Sequence, residues 1–231
     1  MDDSTGRDRS RRLTAAALLA GGVVYGAGNA FYWLMFPDDV SDTAENVVAA
    51  AGHLGAWRFE TVLFALAHLL LLPATLGLAA TLGRRRPLAA TVGGAAALLG
   101  LYFSTVHLWQ YNAFFGALAG AGVDADTVRP VTTAIDGDAF VTTSFAVWLL
   151  GWTVGLLVLA FGAWRARLVA LWVPLVLTTG QVLDLVGTGV PLKMVVSVLV
   201  VAGFVGLALG VGRSRAVEAP AGAATPAPAT A

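Results

Sequence analysis

The chain reads as an all-α membrane protein, a bundle of six transmembrane helices with a short surface helix in its first outer loop. Three observations point there. Its 231 residues are 58% hydrophobic and 12% charged, with a mean hydropathy of +0.78, more apolar side chain than a core of this length can hide. Apolar runs long enough to cross about 30 Å of hydrocarbon recur along it. Arginines cluster at alternate breaks between those runs.

Residues 1–12 form a basic tail with Arg7, Arg9, Arg11 and Arg12, and the uncharged run 13–36 follows. At 1.5 Å per residue that run covers about 36 Å, enough for a first span. A basic head before an apolar run also describes a signal peptide, with Gly28, Asn29 and Ala30 as small residues for cleavage. The run continues through Phe31 to Phe36, which favours a retained span. The next segment is acidic at Asp38, Asp39, Asp42 and Glu45. Asp42 followed by Glu45 fits a capping box and predicts a helix over about 43–53, lying on the membrane with Val47, Val48, Ala51 and Leu54 along one side.

A second span over 58–82 ends in the basic turn Arg84, Arg85, Arg86, Pro87, and a third runs over 88–115. Its band from Tyr102 to Asn112 mixes aromatic and polar residues, as at a membrane interface. A loop over 116–138 carries Asp124, Asp126, Asp136 and Asp138 against Arg129. Spans at 139–164, 168–186 and 192–211 complete a membrane domain over 13–211, and the Ala- and Pro-rich tail 212–231 is expected to be disordered. With the N-terminus in the cytoplasm, Arg7, Arg9, Arg11, Arg12, Arg84, Arg85, Arg86, Arg165, Arg167, Arg213 and Arg215 lie inside, leaving only Arg58, Arg129 and Lys193 of the 14 basic residues outside. This predicts the inner membrane of a bacterial cell, with both termini cytoplasmic.

Ionisable and amide side chains inside spans are costly, so each needs a reason. Glu60 and His68 lie on the second span, His107 and Gln110 near the outer end of the third, and Gln181 and Asp184 near the outer end of the fifth. Gln181 and Asp184 are one turn apart; Ser104, His107 and Tyr111 also follow helical spacing. Converging, these faces would form an outward polar pocket, with Asn29 and Tyr32 as walls. The plainer alternative pairs Glu60 with Arg58 and Asp184 with Lys193, and leaves His68, about 15 Å below Arg58, as a hydrogen-bonded core residue. Pro73 predicts a kink just below it.

The chain contains no cysteine, which excludes disulfides, thiolate nucleophiles and iron–sulfur clusters. His68 and His107 differ in depth by about 7 Å on adjacent antiparallel spans, too far apart to share one haem. No hydrolase, zinc-protease or phosphate-loop pattern occurs. No catalytic residue, metal or cofactor is assigned. The expected partners are the lipid bilayer and a small ligand or membrane protein, with no nucleic acid. The expected function is ligand, lipid or partner binding at the polar cluster, without enzymatic activity. Two alternatives stay open: proton-coupled transport, and a membrane enzyme using Glu60 and His107 as acid and base.

Thr43-Ala44-Glu45-Asn46 after the first span, Arg58 opening the second, and the aromatic, glycine-punctuated run from Trp152 to Gly187 with Asp184 near its end resemble a family of small six-span bacterial membrane proteins, a domain of unknown function. The resemblance covers about 13–211. The turn Trp164-Arg165-Ala166-Arg167 departs from the Leu-Pro-Arg usual there. The resemblance implies a six-span fold and brings no activity.

Overall fold

The computed structural model describes residues 3–36, 42–186 and 189–214, and every element among them is helical. The elements are α1 (Asp3–Met35), α2 (Thr43–Ala51), α3 (Leu54–Gly83), α4 (Pro87–Leu108), a π-helical turn (Trp109–Ala113), α5 (Phe114–Gly120), α6 (Ala125–Asp136), α7 (Ala139–Arg165), α8 (Trp172–Val186) and α9 (Val190–Arg213). Five helices, four of them α1, α3, α7 and α9 and the fifth the continuous run Pro87–Gly120, are long and apolar enough to cross a membrane; α8 is a shorter apolar helix. Asp38, Asp39, turn residues 187 and 188 and the tail beyond 214 lie outside the described residues.

The long helices form a closed ring. α1 packs on α3, α3 on α4, α4 on α7, α7 on α8, α8 on α9, and α9 returns to α1. Neighbours run antiparallel: Gly21 meets Leu71 and Gly28 meets Leu63 across α1 and α3, while Gly203 meets Leu177 and Gly206 meets Val173 across α9 and α8. Leu71, Leu78, Leu159, Leu177 and Leu207 fill the centre, where Trp152 stacks on Phe204. The outside is apolar too, with Leu69 68%, Leu88 77% and Val198 67% exposed. An apolar exterior of this extent needs lipid around it.

α4 and α7 approach more closely than side chains permit. A Cβ on Gly100 would overlap the backbone nitrogen of Trp152, and one on Gly155 would overlap that of Ala97. Hydrogen-only side chains let the two backbones touch, replacing the hydrophobic drive that lipid does not supply between helices.

The bundle's two ends differ. At one end Arg11 donates to the Ser214 carbonyl, Arg85 to that of Ala166 (3.0 Å) and Arg86 to that of Arg165 (3.2 Å). At the other, α2, α5 and α6 build a cap around Ala44, Val47, Ala50, Trp57, Phe115 and Val128. The segment 116–138, expected as a loop, is thus largely helical: Asp124 caps α6 by accepting from the Thr127 N–H (2.8 Å). Asp42 caps α2, accepting from Ala44 (2.8 Å) and Glu45 (3.3 Å) N–H groups. The buried side of α2 is Ala44, Val47 and Ala50, not Val47, Val48 and Ala51, because it packs on α5 and α6. Arg129 of α6 pairs with Asp42 and reaches Glu45 at 3.9 Å, locking the two helices together.

α8 begins at Trp172, four residues later than the span start expected at Leu168. Arg167 takes a left-handed φ of 57°, and the Leu168 N–H returns to the Ala163 carbonyl at 2.9 Å, closing α7 in a Schellman-type turn. Pro174, the third residue of α8, sits in the first turn, where its missing N–H has no intrahelical partner to lose.

Candidate functional site

Just beneath the cap, the ring encloses a cavity of about 270 Å³. One wall comes from α3, α4 and the π-helical turn that follows α4, which place Glu60, His68, Ser104, His107 and Asn112 on it; the other carries Asn29, Tyr32 and Trp33 of α1 with Asp184 and Lys193. Of the residues singled out from sequence, Glu60, His68, His107 and Asp184 therefore line one space. Gln181 does not: it is 7% exposed and accepts from the Thr153 hydroxyl at 2.9 Å, on the side of α8 that faces α7. The side chain of Gln110 lies outside the described residues.

Glu60 is only 4% exposed, and Arg58, two residues away, forms no ion pair with it. Its Oε2 instead accepts from Asn112 Nδ2 at 3.1 Å. Asn112 in turn is held from behind, its carbonyl taking the Trp57 indole N–H at 2.9 Å. That carbonyl sits in the π-helical turn, where the regular ladder is interrupted and a backbone acceptor turns outward.

The same turn shifts the register of the chain beyond it. α-Helical spacing put Tyr111 beside Ser104 and His107; its ring does stack on His107 at 4.7 Å, while its hydroxyl reaches up into the cap, donating to Asp136 at 3.1 Å and bonding Thr43 at 3.1 Å. Asn112 occupies the cavity wall in its place. A π turn adds about one residue to the helical circuit, so the polar face passes from position 111 to 112.

His68 lies about 12 Å deeper than Glu60 by the helix rise. Its Nδ1 is 2.6 Å from the Phe64 carbonyl and its Nε2 2.6 Å from Ser104 Oγ. A carbonyl only accepts, so Nδ1 carries the proton, and in the neutral ring the Ser104 hydroxyl donates to Nε2. His107 stacks on Tyr111 at 4.7 Å and lies 4.9 Å from Trp148, with its buried Nδ1 lacking a hydrogen-bond partner. A buried polar atom without a partner is unusual in a folded protein.

Across the cavity, Lys193 is saturated. Its ammonium donates to the Asp184 carboxylate (2.9 Å) and carbonyl (2.8 Å) and lies 4.8 Å from the centre of the Trp33 ring. Below it, Asn29 donates to Ser197 at 2.8 Å, tying α1 to α9. Among the described residues, no three His, Asp or Glu side chains converge to hold a metal ion.

Asn29 and Tyr32, expected as walls, do line the cavity, and Tyr25 and Trp33 extend the same face of α1. Tyr25, Asn29, Tyr32 and Trp33 recur at intervals of four, three and one, one face of a helix, and all four line the cavity. No protein family's sequence model, no curated protein and no solved structure matches this chain. The resemblance to a six-span family therefore rests on its short motifs alone.

Proposed function

We propose that this is a six-span protein of the bacterial inner membrane, with its arginine-rich end in the cytoplasm, whose capped cavity binds a small polar ligand from outside without transforming it. Support for the sixth span comes from levels. Although α8 has 15 residues, about 22 Å, Gly206 packs on Trp172 and Val173 near its start, and Asp184 near its end bonds Lys193 at the start of α9. α8 thus covers nearly the depth of its neighbour. The arginine sorting supplies the orientation, and α2 then belongs to an extracytoplasmic cap rather than lying flat on lipid. Reporter fusions after residues 86 and 166 should both report cytoplasm.

The observation carrying the binding reading is the convergence of Glu60, His68, His107 and the Asp184–Lys193 pair on one cavity under a cap. Glu60 and His107 share no hydrogen bond that would make them an acid–base pair. Because the chain lacks cysteine, Ser104→Cys supplies a single reporter thiol. A membrane-impermeant maleimide should label it from the outside of intact cells, while Leu159→Cys in the core stays unlabelled. Labelling only in inverted vesicles would end this reading.

Proton-coupled transport is the second reading, favoured by the depth to which the cavity runs, down to His68 and Ser104. It requires His68→Ala to abolish flux in reconstituted vesicles while leaving the protein folded.

A further inference from the structure

Resting on the binding reading above, we propose that the ligand is a small organic cation bearing at least one N–H, an alkylammonium, held between Glu60 and His107. Charge supplies the first argument. The cavity is lined by two carboxylates and one ammonium, and the Lys193 ammonium is taken by Asp184. That leaves Glu60 with a single amide donor, Asn112, and no basic partner among the described residues. An incoming cation would complete that carboxylate's ion pair at a buried side chain, where water screens the pair less than at an open surface.

The second argument is the walls. Tyr25, Tyr32, Trp33, Phe64 and Trp148 line the cavity, and ring faces attract cations through their quadrupoles. Lys193 already illustrates this on Trp33. The third is His107 on the cavity wall: its Nδ1 is buried and unpartnered, and a turn of the ring would present it to an N–H donor, from which it accepts when its proton sits on Nε2. An anionic or purely apolar ligand would leave Glu60 unpaired and Nδ1 orphaned. The fourth is the approach: the cap carries Asp42, Glu45, Asp124, Asp126 and Asp136 against Arg129 and Arg58, a net negative field that concentrates cations at the mouth.

Propylammonium chloride tests this against 1-propanol and propionate, its neutral and anionic counterparts, by protection of Ser104→Cys from the impermeant maleimide. Propylammonium should slow labelling at least tenfold and the other two not at all. Adding Glu60→Gln, which keeps an acceptor for Asn112, should abolish protection, judged against the labelling rate of the same variant without ligand. His107→Phe should weaken protection by propylammonium but not by tetramethylammonium, which has no N–H. Equal protection by propanol, protection surviving Glu60→Gln, or none from propylammonium overturns the cation while the cavity reading stands. Equal weakening for both cations overturns the role given to His107. Absence of outside labelling without any ligand would instead defeat the binding reading itself.

Discussion

The arginine-rich half of the bundle and the capped half solve opposite problems with the same helices. Below, α4 and α7 touch through Gly100, Gly151 and Gly155, and buried leucines fill the centre. Above, the helices carry Tyr, Trp, His, Asn and Glu side chains whose bulk and polarity hold the walls apart around a cavity. Small residues in the lower half set the distance between backbones; hydrogen bonds in the upper half set the positions of polar groups. The lower half should therefore be intolerant of added volume, and the upper half of lost partners.

Gly100→Val puts the largest strain on that contrast. The added carbons meet the Trp152 backbone, which cannot rotate away as a side chain can, so the cost should reach at least about 3 kcal/mol, the upper end for overpacking. Loss of the monodisperse peak in detergent size exclusion would register it. Gly55→Ala, with nothing within 4 Å of the new carbon, should leave the unfolding midpoint unchanged. Equal behaviour of the two variants would mean that glycine contact does not set helix spacing here.

In the upper half, Lys193→Met removes the ammonium from a pair in which the lysine side chain is 10% exposed and the aspartate 37%. A fully buried orphan charge costs about 3–5 kcal/mol, but water reaches Asp184, so a loss of about 1–2 kcal/mol is expected. Lys193→Met with Asp184→Asn should recover most of it, measured as a double-mutant cycle in chemical unfolding. Ser104→Ala comes next, leaving His68 Nε2 without its donor in a cramped site for about 1 kcal/mol. Its nitrogen NMR shift should move while the cap is undisturbed.

The contrast also explains what was legible. Glu60, His68, His107 and Asp184 stand out because ionisable groups interrupt apolar runs, and the arginine turns stand out for the same reason inverted. Asn112 could not be placed, since a π turn leaves no mark in hydrophobic periodicity and moves every later residue around the helix. Gln181 was misplaced because spacing puts it one turn from Asp184 without saying that Thr153 lies across from it. The late start of α8 hangs on Arg167 adopting a backbone conformation usually reserved for glycine. α6 was hidden by its shortness and by Pro130, both of which read as loop.

The smallest expected effect separates the cap from the membrane helices by pH. The Thr127 backbone N–H, with its hydroxyl, holds the exposed Asp124 carboxyl below the usual aspartate range. A carboxylate whose folded pKa is depressed contributes fully above its unfolded pKa, and that contribution fades as pH falls through the folded value. Acidification should therefore loosen the first turn of α6 while the glycine-packed contact of α4 and α7, which contains no titrating group, holds. Amide exchange at Thr127 and Val128, referenced to Asp124→Ala at each pH, would show a protection gap at neutral pH that narrows on acidification. A gap of constant size would mean that the backbone bond is insensitive to the carboxyl's charge, and that the cap is fixed by its apolar contacts to Trp57 and Phe115 instead.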